Sequence, residues 1–576
     1  MPYFISLGVS AIWDGSEAFY AETPREMLES GDWLSPRFNY EPRVNKPPLT
    51  YWAVAVSYKI FGVNEFAVRL PGALAVLGIT LFAYGAVRSF YGPRAALFAA
   101  VITAVTPRIF ILGRRLPIDI MLLLFLTGTL FFLLRATTKE NAIDWRLAYV
   151  FAALGFMTKG PVAVIIPAGA LLAWMLCSGK FRELFSTMRF LEGIGIFLCI
   201  SFPWYFLSYL THGWDYIASF FLSDNLGRFA SESFGPSRGF FYYIPVWFLD
   251  FFPWSIIGLV ALTSFRKGFR KRLEDAPFGL TFFWCALVFL MFSLSKNKQE
   301  YYIAPMYPAA AILIAGFLDK LGRHDRTDAA PDPAQVEHGG IRLLKWIYWI
   351  LAFLMLLIAF ILPYILDILM SDISFLLRLG PSLVLIAGVG LTCWKAFLKK
   401  FHGAFASLAF SLWIIFFFGA LIYIPALENF RPVKDLCATI ENMISTDADT
   451  DGETEAGYFR LSTSFNSMAF YLKRRVFEED DYSLMLQRFQ SDGRVFCIVD
   501  DRAYDWFENQ ITQENQNSQS NQIDQIYTDT KLYIFDRRTA NFSIRLDRFF
   551  ADEKRSGREL LLLSNRPSGL IETLKK

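Results

Sequence analysis

The chain of 576 residues is 54% apolar and only 19% charged, with a formal charge of +3 and a mean hydropathy of +0.35. Soluble domains carry nearer a quarter charged residues and lack repeated apolar runs of bilayer-crossing length, so the composition excludes an ordinary soluble enzyme. The six cysteines form no CxxC pair and the four histidines (His212, His324, His338, His402) are scattered, which leaves no metal-ligand spacing and gives no reason to expect a nucleic-acid partner.

The opening MPYFISLGVSAIW is too short for a full span, lacks the basic start of a signal peptide, and reads as the end of a first helix. An acidic cluster follows at once: Asp14, Glu17, Glu22 and Glu26 lie within IWDGSEAFYAETPREM. Glu17–Ser30 reads as an amphipathic helix ended by Gly31, and Thr50–Phe61 as a second; both are rich in aromatics, as suits helices lying in the interface plane. Apolar runs then recur: Phe66–Val87, Ala95–Leu112, Ile120–Leu134, Ala148–Met157, Val162–Cys177, Phe190–Leu210, Phe240–Phe265, Phe278–Leu294, Tyr301–Leu318, Trp346–Leu366, Leu376–Cys393 and Ala404–Ile424. With the opening stub they imply a polytopic α-helical membrane protein of about twelve or thirteen spans.

Lys and Arg concentrate in alternate loops (Arg88 and Arg94; Arg135 to Arg146; Lys180 to Arg189; Arg266 to Arg272; Lys320 to Lys345; Lys395 to Lys400), which the positive-inside rule makes cytoplasmic. The first loop, His212–Arg238 and everything after Glu428 then face outward. The outward side still holds cations, beside aromatics or prolines: Arg43, Lys46, Arg69, Arg114, Arg115, Lys159, Arg228, Lys296 and Lys298. Any single one reads equally well as a snorkelling helix end; six sites on one face suit an anionic headgroup such as a phosphate. Asp14, Glu17 and Asp119 fall on the same side, where paired carboxylates suit activation or orientation of an attacking group, or a divalent cation. The structural alternative is that Asp14 caps a helix starting near Ser16 and Asp119 one starting near Ile120; it is preferred for Asp14, the functional reading for Glu17 and Asp119.

Residues 428–576 change character, with strand-like runs (RVFCIV, KLYIF) among helical ones (VKDLCATIENMI, FNSMAFYLKRR) and a polar connector, TQENQNSQSNQ. They are expected to form a small extracytoplasmic α/β domain after a membrane domain of residues 1–427. Its Cys437 and Cys497 are open to pairing or to standing as separate thiols.

The run WDGSEAFYAETPREMLESGDWLSPRFN…VNKPPLTYW…FGVNEFAVRLPGAL resembles the opening of the lipid A aminoarabinose transferase-like glycosyltransferases, which belong with the protein O-mannosyltransferases in the GT-C superfamily. GRRLPIDIMLL, LGFMTKGPVAVIIP, PWYFL, DNLGRF, FFPWS and SKNKQEYYIAPMYP extend the likeness through the membrane part. The resemblance implies an enzyme of the cytoplasmic membrane that takes sugar from a polyprenyl phosphate on the outer face and passes it to a lipid, glycan or protein. It implies that Lys46 of the KPP motif meets the carrier phosphate, that Arg114, Arg228, Lys296, Lys298 and Tyr302 lie near the donor, and that Asp119 and an acidic pair at Ser16–Glu17 flank the cavity. Two departures stand out. Ser16 replaces one carboxylate of that pair, for which Asp14 is the available substitute, and Asn45 replaces the Glu of a zinc site, so zinc is not carried over. Both point away from aminoarabinose on lipid A. A flippase of lipid-linked saccharides is the competing class, but no internal repeat of the transporter kind is visible; a membrane scaffold is a third class, open for the tail alone.

Overall fold

The computed structural model describes residues 2–43, 45–116, 118–139, 141–227, 238–265, 268–324, 338–369, 373–398, 400–427, 432–446, 454–459, 465–491, 493–500, 502–510, 532–540 and 558–566. The chain forms two compact units: Met1–Leu7, Asp32–Pro36 and Arg43–Tyr423 make one, and Gly8–Gly31, Arg37–Pro42 and Ile424–Lys576 the other. The second unit thus takes in two pieces of the first loop.

Helix α1 (Ser16–Ser30) belongs to the second unit. The membrane unit runs through α2 (Leu49–Phe61), α3 (Glu65–Tyr91), α4 (Pro93–Ala104), α5 (Pro107–Arg115), α6 (Ile118–Lys139), α7 (Ala142–Lys159), α8 (Val162–Ser178) and α9 (Phe181–Thr187). It continues with α10 (Phe190–Ala218), prolonged as a π-helical segment Ser219–Gly227, then α11 (Tyr243–Asp250), α12 (Trp254–Ser264), α13 (Phe269–Glu274) and α14 (Ala276–Leu294). Last come α15 (Met306–His324), α16 (His338–Leu369), α17 (Phe375–Phe397) and α18 (Phe401–Phe418). Among the described residues seven helices are long and apolar enough to cross a bilayer, or nine if each of two bent pairs is one span. Those pairs are α4 with α5, bent by 60°, and the stretch Phe240–Asp250 with α12, bent by 113°. The other runs read as spans from the sequence correspond to α7, to α15 and to α8, which is apolar but shorter.

Local chemistry sets several of these ends. The Asn64 side chain accepts the Ala67 amide hydrogen at 2.9 Å and the Asn141 side chain that of Ile143 at 3.1 Å, capping α3 and α7. Proline opens α4 and α5 at positions where no amide hydrogen is needed. Residues 2–9 form turns, not the helix end expected from their apolar sequence. Neighbouring helices pack in sequence, α3 against α4 and α6, α6 against α7, α7 against α10, and α14 against α8 and α15. Because the spans alternate in direction, the start of α6, the ends of α7, α10 and α14 and the start of α15 share one end of the bundle. The basic connections share the other.

The second unit is built on a five-stranded sheet. Its strands are β3 (Thr454–Phe459), β4 (Val476–Glu479), β5 (Arg494–Asp500), β6 (Tyr533–Ala540) and β7 (Arg558–Ser564), in the order β4-β3-β5-β7-β6; β1 (Arg37–Phe38) and β2 (Glu41–Pro42) form a separate hairpin. β3 runs parallel to β4 and β5, while β7 is antiparallel to β5 and β6. Helices α19 (Val433–Thr446), α20 (Ser467–Leu472) and α21 (Tyr482–Phe489) complete it. Alternation along β5 sends Phe496 and Ile498 into one core with Leu436 and Met468, and Val495 and Val499 into another with Met485 and Phe507. Cys437 lies in the first core and Cys497 in the second; both are buried free thiols. The connector TQENQNSQSNQ lies outside the described residues.

Gly279 of α14 packs so closely that a Cβ there would lie 2.1 Å from the Leu273 carbonyl oxygen, the acceptor of the Trp174 indole hydrogen. Gly279→Ala is expected to cost about 1–3 kcal/mol, seen as a lower thermal midpoint of the detergent-solubilised protein. Gly195→Ala, which meets nothing within 4 Å, should not lower it.

Candidate active site

The acidic start of the first loop serves two different purposes. Glu17, in the first turn of α1, is buried and its Oε2 accepts the Trp13 amide hydrogen at 2.8 Å. Asp14 does not cap α1, which has no side-chain cap; Gly15 stands between them at φ 87°. Its Oδ1 instead accepts from the amide and hydroxyl of Ser467, at 2.9 and 2.6 Å, and so satisfies the start of α20. The Arg25 guanidinium grips Glu22 through two bonds of 2.8 and 2.7 Å. Glu26 accepts the Tyr40 amide hydrogen at 3.0 Å. Burial, then the charge of Glu22, pushes the Glu26 carboxyl up to about 8. Beside it, the Asn39 amide group exchanges two 2.7 Å bonds with the backbone of Val476. The hairpin and α1 are therefore fastened to the tail's own elements.

In the membrane unit two ion pairs gather at the end of the bundle opposite the basic connections. Lys46 Nζ bonds the Asp224 carboxylate at the end of the π-helical segment, and donates to the Asn45 carbonyl at 2.8 Å. Lys159, the last residue of α7, pairs with the buried carboxylate of Asp119 in the first turn of α6. Its ammonium also lies over the Tyr302 ring, 4.8 Å from the centroid. Arg43 Nε donates to Tyr51 Oη at 3.0 Å. Sequence neighbours of both pairs meet in one apolar cluster: Met157, two residues before Lys159, packs with Trp204, with Leu49 and Trp52 after Lys46, and with Phe221, which lies three residues before Asp224.

The remaining residues expected near a phosphate are distributed differently. Arg114 Nη1 donates to the carbonyls of Pro2 and Ile5 at 2.6 and 2.7 Å, and Arg69 Nη1 to that of Leu7 at 3.0 Å. Backbone carbonyls of the opening turns thus occupy guanidinium donors that the sequence reading gave to an anion. Lys298 is buried with its ammonium on the Ser295 carbonyl, and burial lowers its pKa; Lys296 is exposed. Arg228 lies outside the described residues. Glu17 and Asp14 belong to the second unit, Lys46, Asp119 and Tyr302 to the first. Two members of the ion pairs had no assigned role: Lys159, noted only as one outward cation, and Asp224, which sits inside the quoted DNLGRF motif. A carboxylate at the end of an apolar run was the available signal for Asp224.

The profile of the dolichyl-phosphate-mannose-protein mannosyltransferases matches residues 45–206, which include Lys46, Asp119 and Lys159. An undecaprenyl phosphate-alpha-4-amino-4-deoxy-L-arabinose arabinosyl transferase of Edwardsiella ictaluri is 32% identical over 326 residues, 55% of this chain and 58% of that protein. The enzyme of the same name from Erwinia tasmaniensis is 28% identical over 528 residues, 87% of this chain and 92% of its own length. Among solved structures, ArnT from Cupriavidus metallidurans bound to undecaprenyl phosphate superposes with a TM-score of 0.72, covering 98% of this chain and 96% of that one at 19% identity, which establishes a shared fold. The class is thus the polytopic GT-C membrane glycosyltransferases. Within it, the chain belongs to the family of the aminoarabinose and protein mannosyl transferases.

Two outcomes follow from the pairs. Lys159→Met leaves Asp119 buried without its cation and should cost about 3–5 kcal/mol, a cost that Lys159→Met/Asp119→Asn recovers in large part, both read as thermal midpoints. Glu26 is raised in the folded protein, so the stability it supplies is full below the ordinary carboxyl range and is lost as pH rises toward 8. A thermal midpoint that falls between about pH 5 and 8, and falls less in Glu26→Gln, is the expected result.

Proposed function

We propose that the chain transfers a sugar from a polyprenyl-phosphate carrier to a lipid, glycan or protein acceptor at the outer face of the cytoplasmic membrane. The observation that carries this reading is the pair of salt bridges, Lys46–Asp224 and Asp119–Lys159, whose sequence neighbours Leu49, Phe221 and Met157 share one apolar cluster at the end of the bundle opposite the basic connections. By the positive-inside rule that end faces outward, and the second unit follows it out of the cytoplasm.

In this reading the carrier's phosphate displaces Asp224 from Lys46, exchanging one anion for another without stranding the ammonium. The cation then stabilises charge that develops on the leaving phosphate as the glycosidic bond lengthens. Asp119, oriented by Lys159, positions the acceptor or takes its proton, and attack from the face opposite the phosphate inverts the anomeric centre. The relatives are named for aminoarabinose; Ser16 and Asn45, where the family pattern has acids, favour a different sugar or acceptor here.

Transfer from polyprenyl-phosphate sugars by the purified full-length protein tests this. Asp119→Asn should lower kcat by roughly 10²–10⁴-fold, and Lys46→Met should raise the KM for the donor. Undiminished activity in both variants would sink the assignment.

A further inference from the structure

A second group of charged side chains adjoins Asp119 by a route separate from that of Lys46. Arg238 lies just before the short 3₁₀ turn Phe240–Tyr242 that leads into α11. A single one of its nitrogens, Nη1, donates to the Glu300 carboxylate at 2.8 Å, to the Lys298 carbonyl at 3.0 Å and to the Tyr242 hydroxyl. The Tyr242 hydroxyl also donates to Glu300 at 2.9 Å, and the guanidinium carbon sits 4.5 Å from the centre of the Tyr242 ring. Tyr243 ties the same loop through the Gln299 carbonyl at 2.9 Å. Among the described residues every hydrogen bond of Arg238 runs through Nη1, so Nε and Nη2 hold a pair of parallel N–H donors in reserve.

This arrangement fits ligand binding better than stability. The Arg238 and Glu300 side chains are 28% and 39% exposed, and ion pairs so exposed add little to folding. Three acceptors on one nitrogen, with a tyrosine ring beneath, fix the orientation of the guanidinium plane and leave its other edge as a fork suited to two oxygens of one anion. The loop that holds it continues directly to Tyr302, whose ring carries the Lys159 ammonium paired with Asp119. Lys46 is paired instead with Asp224.

We propose that Arg238 is an anion subsite for the acceptor, binding a phosphate or carboxylate borne close to the attacking oxygen, while the carrier's phosphate goes to Lys46. The assignment rests on the transferase reading above. It makes Arg238 a specificity-determining residue: neutral acceptors gain nothing from it.

The test uses full-length protein in dioleoylphosphatidylcholine nanodiscs, with dioleoyl phosphatidic acid, dioleoylglycerol, inorganic phosphate and undecaprenyl phosphate as probes. Wild type is expected to prefer phosphatidic acid to dioleoylglycerol. Arg238→Gln should weaken phosphatidic acid by about tenfold and leave undecaprenyl phosphate unchanged, which also verifies that the variant is folded. Arg238→Lys, keeping charge but not the fork, should fall between. Displacement of phosphatidic acid by inorganic phosphate at equal concentration supports an anion site that accepts soluble and lipid-borne phosphate alike; displacement only by lipid supports one that reads the headgroup at the bilayer. Unchanged phosphatidic acid affinity in Arg238→Gln overturns the proposal, and so does an equal loss for undecaprenyl phosphate. Wild type that binds no undecaprenyl phosphate, yet keeps the Arg238-dependent phosphatidic acid site, refutes the transferase reading and not the anion site.

Discussion

A charge withdrawn from water at the edge of a bilayer must meet an opposite charge or convergent dipoles, because the solvation it loses is worth several kcal/mol. That requirement organises the membrane unit. Lys46 meets Asp224 across 178 positions of sequence and Lys159 meets Asp119 across 40. Arg108, at the break between α4 and α5, grips Asp250, at the break between α11 and α12, through two bonds of 2.7 Å, with the Tyr307 hydroxyl adding a third contact of 3.1 Å to Asp250. Each pair joins segments that are distant in sequence. In the proposed reading, chemistry and architecture rest on the same contacts: a carrier phosphate that replaces Asp224 beside Lys46 enters a position already occupied by a carboxylate.

What the sequence disclosed follows from how local each signal is. The first-loop helices were legible within a residue, with Gly31 setting the end of α1. The expected division of faces does not hold: Glu22 and Glu26 are buried along with Met27, held by Arg25 and by the Tyr40 amide. Alternating basic loops disclosed which helix ends share a face. Partners remained hidden. Nothing near Asp14 announces Ser467, and nothing near Arg114 announces the carbonyls of residues 2 and 5. A guanidinium that meets backbone carbonyls leaves no complementary residue type to search for. Asp224 was visible as a residue and overlooked as a partner, because Arg228 beside it carried the family likeness.

The tail shows the same division between local and distant information. RVFCIV reads as a strand from its branched and aromatic content, and β5 is that strand. The separation of Cys437 from Cys497 follows from which face of β5 each side chain meets, a fact that depends on helices from either side of the strand in sequence.

The distribution of the first loop has a bearing on how the chain is made. Asp14 and Asn39 leave the ribosome more than four hundred residues before Ser467 and Val476, the groups that complete their hydrogen bonds. During all of that synthesis α1 and its hairpin have no sheet to fasten to, while the spans between are inserted one after another. Assembly of this region thus waits on the end of a chain whose beginning it holds, and a nascent chain halted before Ser467 would lack the groups that complete the hydrogen bonds of Asp14 and Asn39.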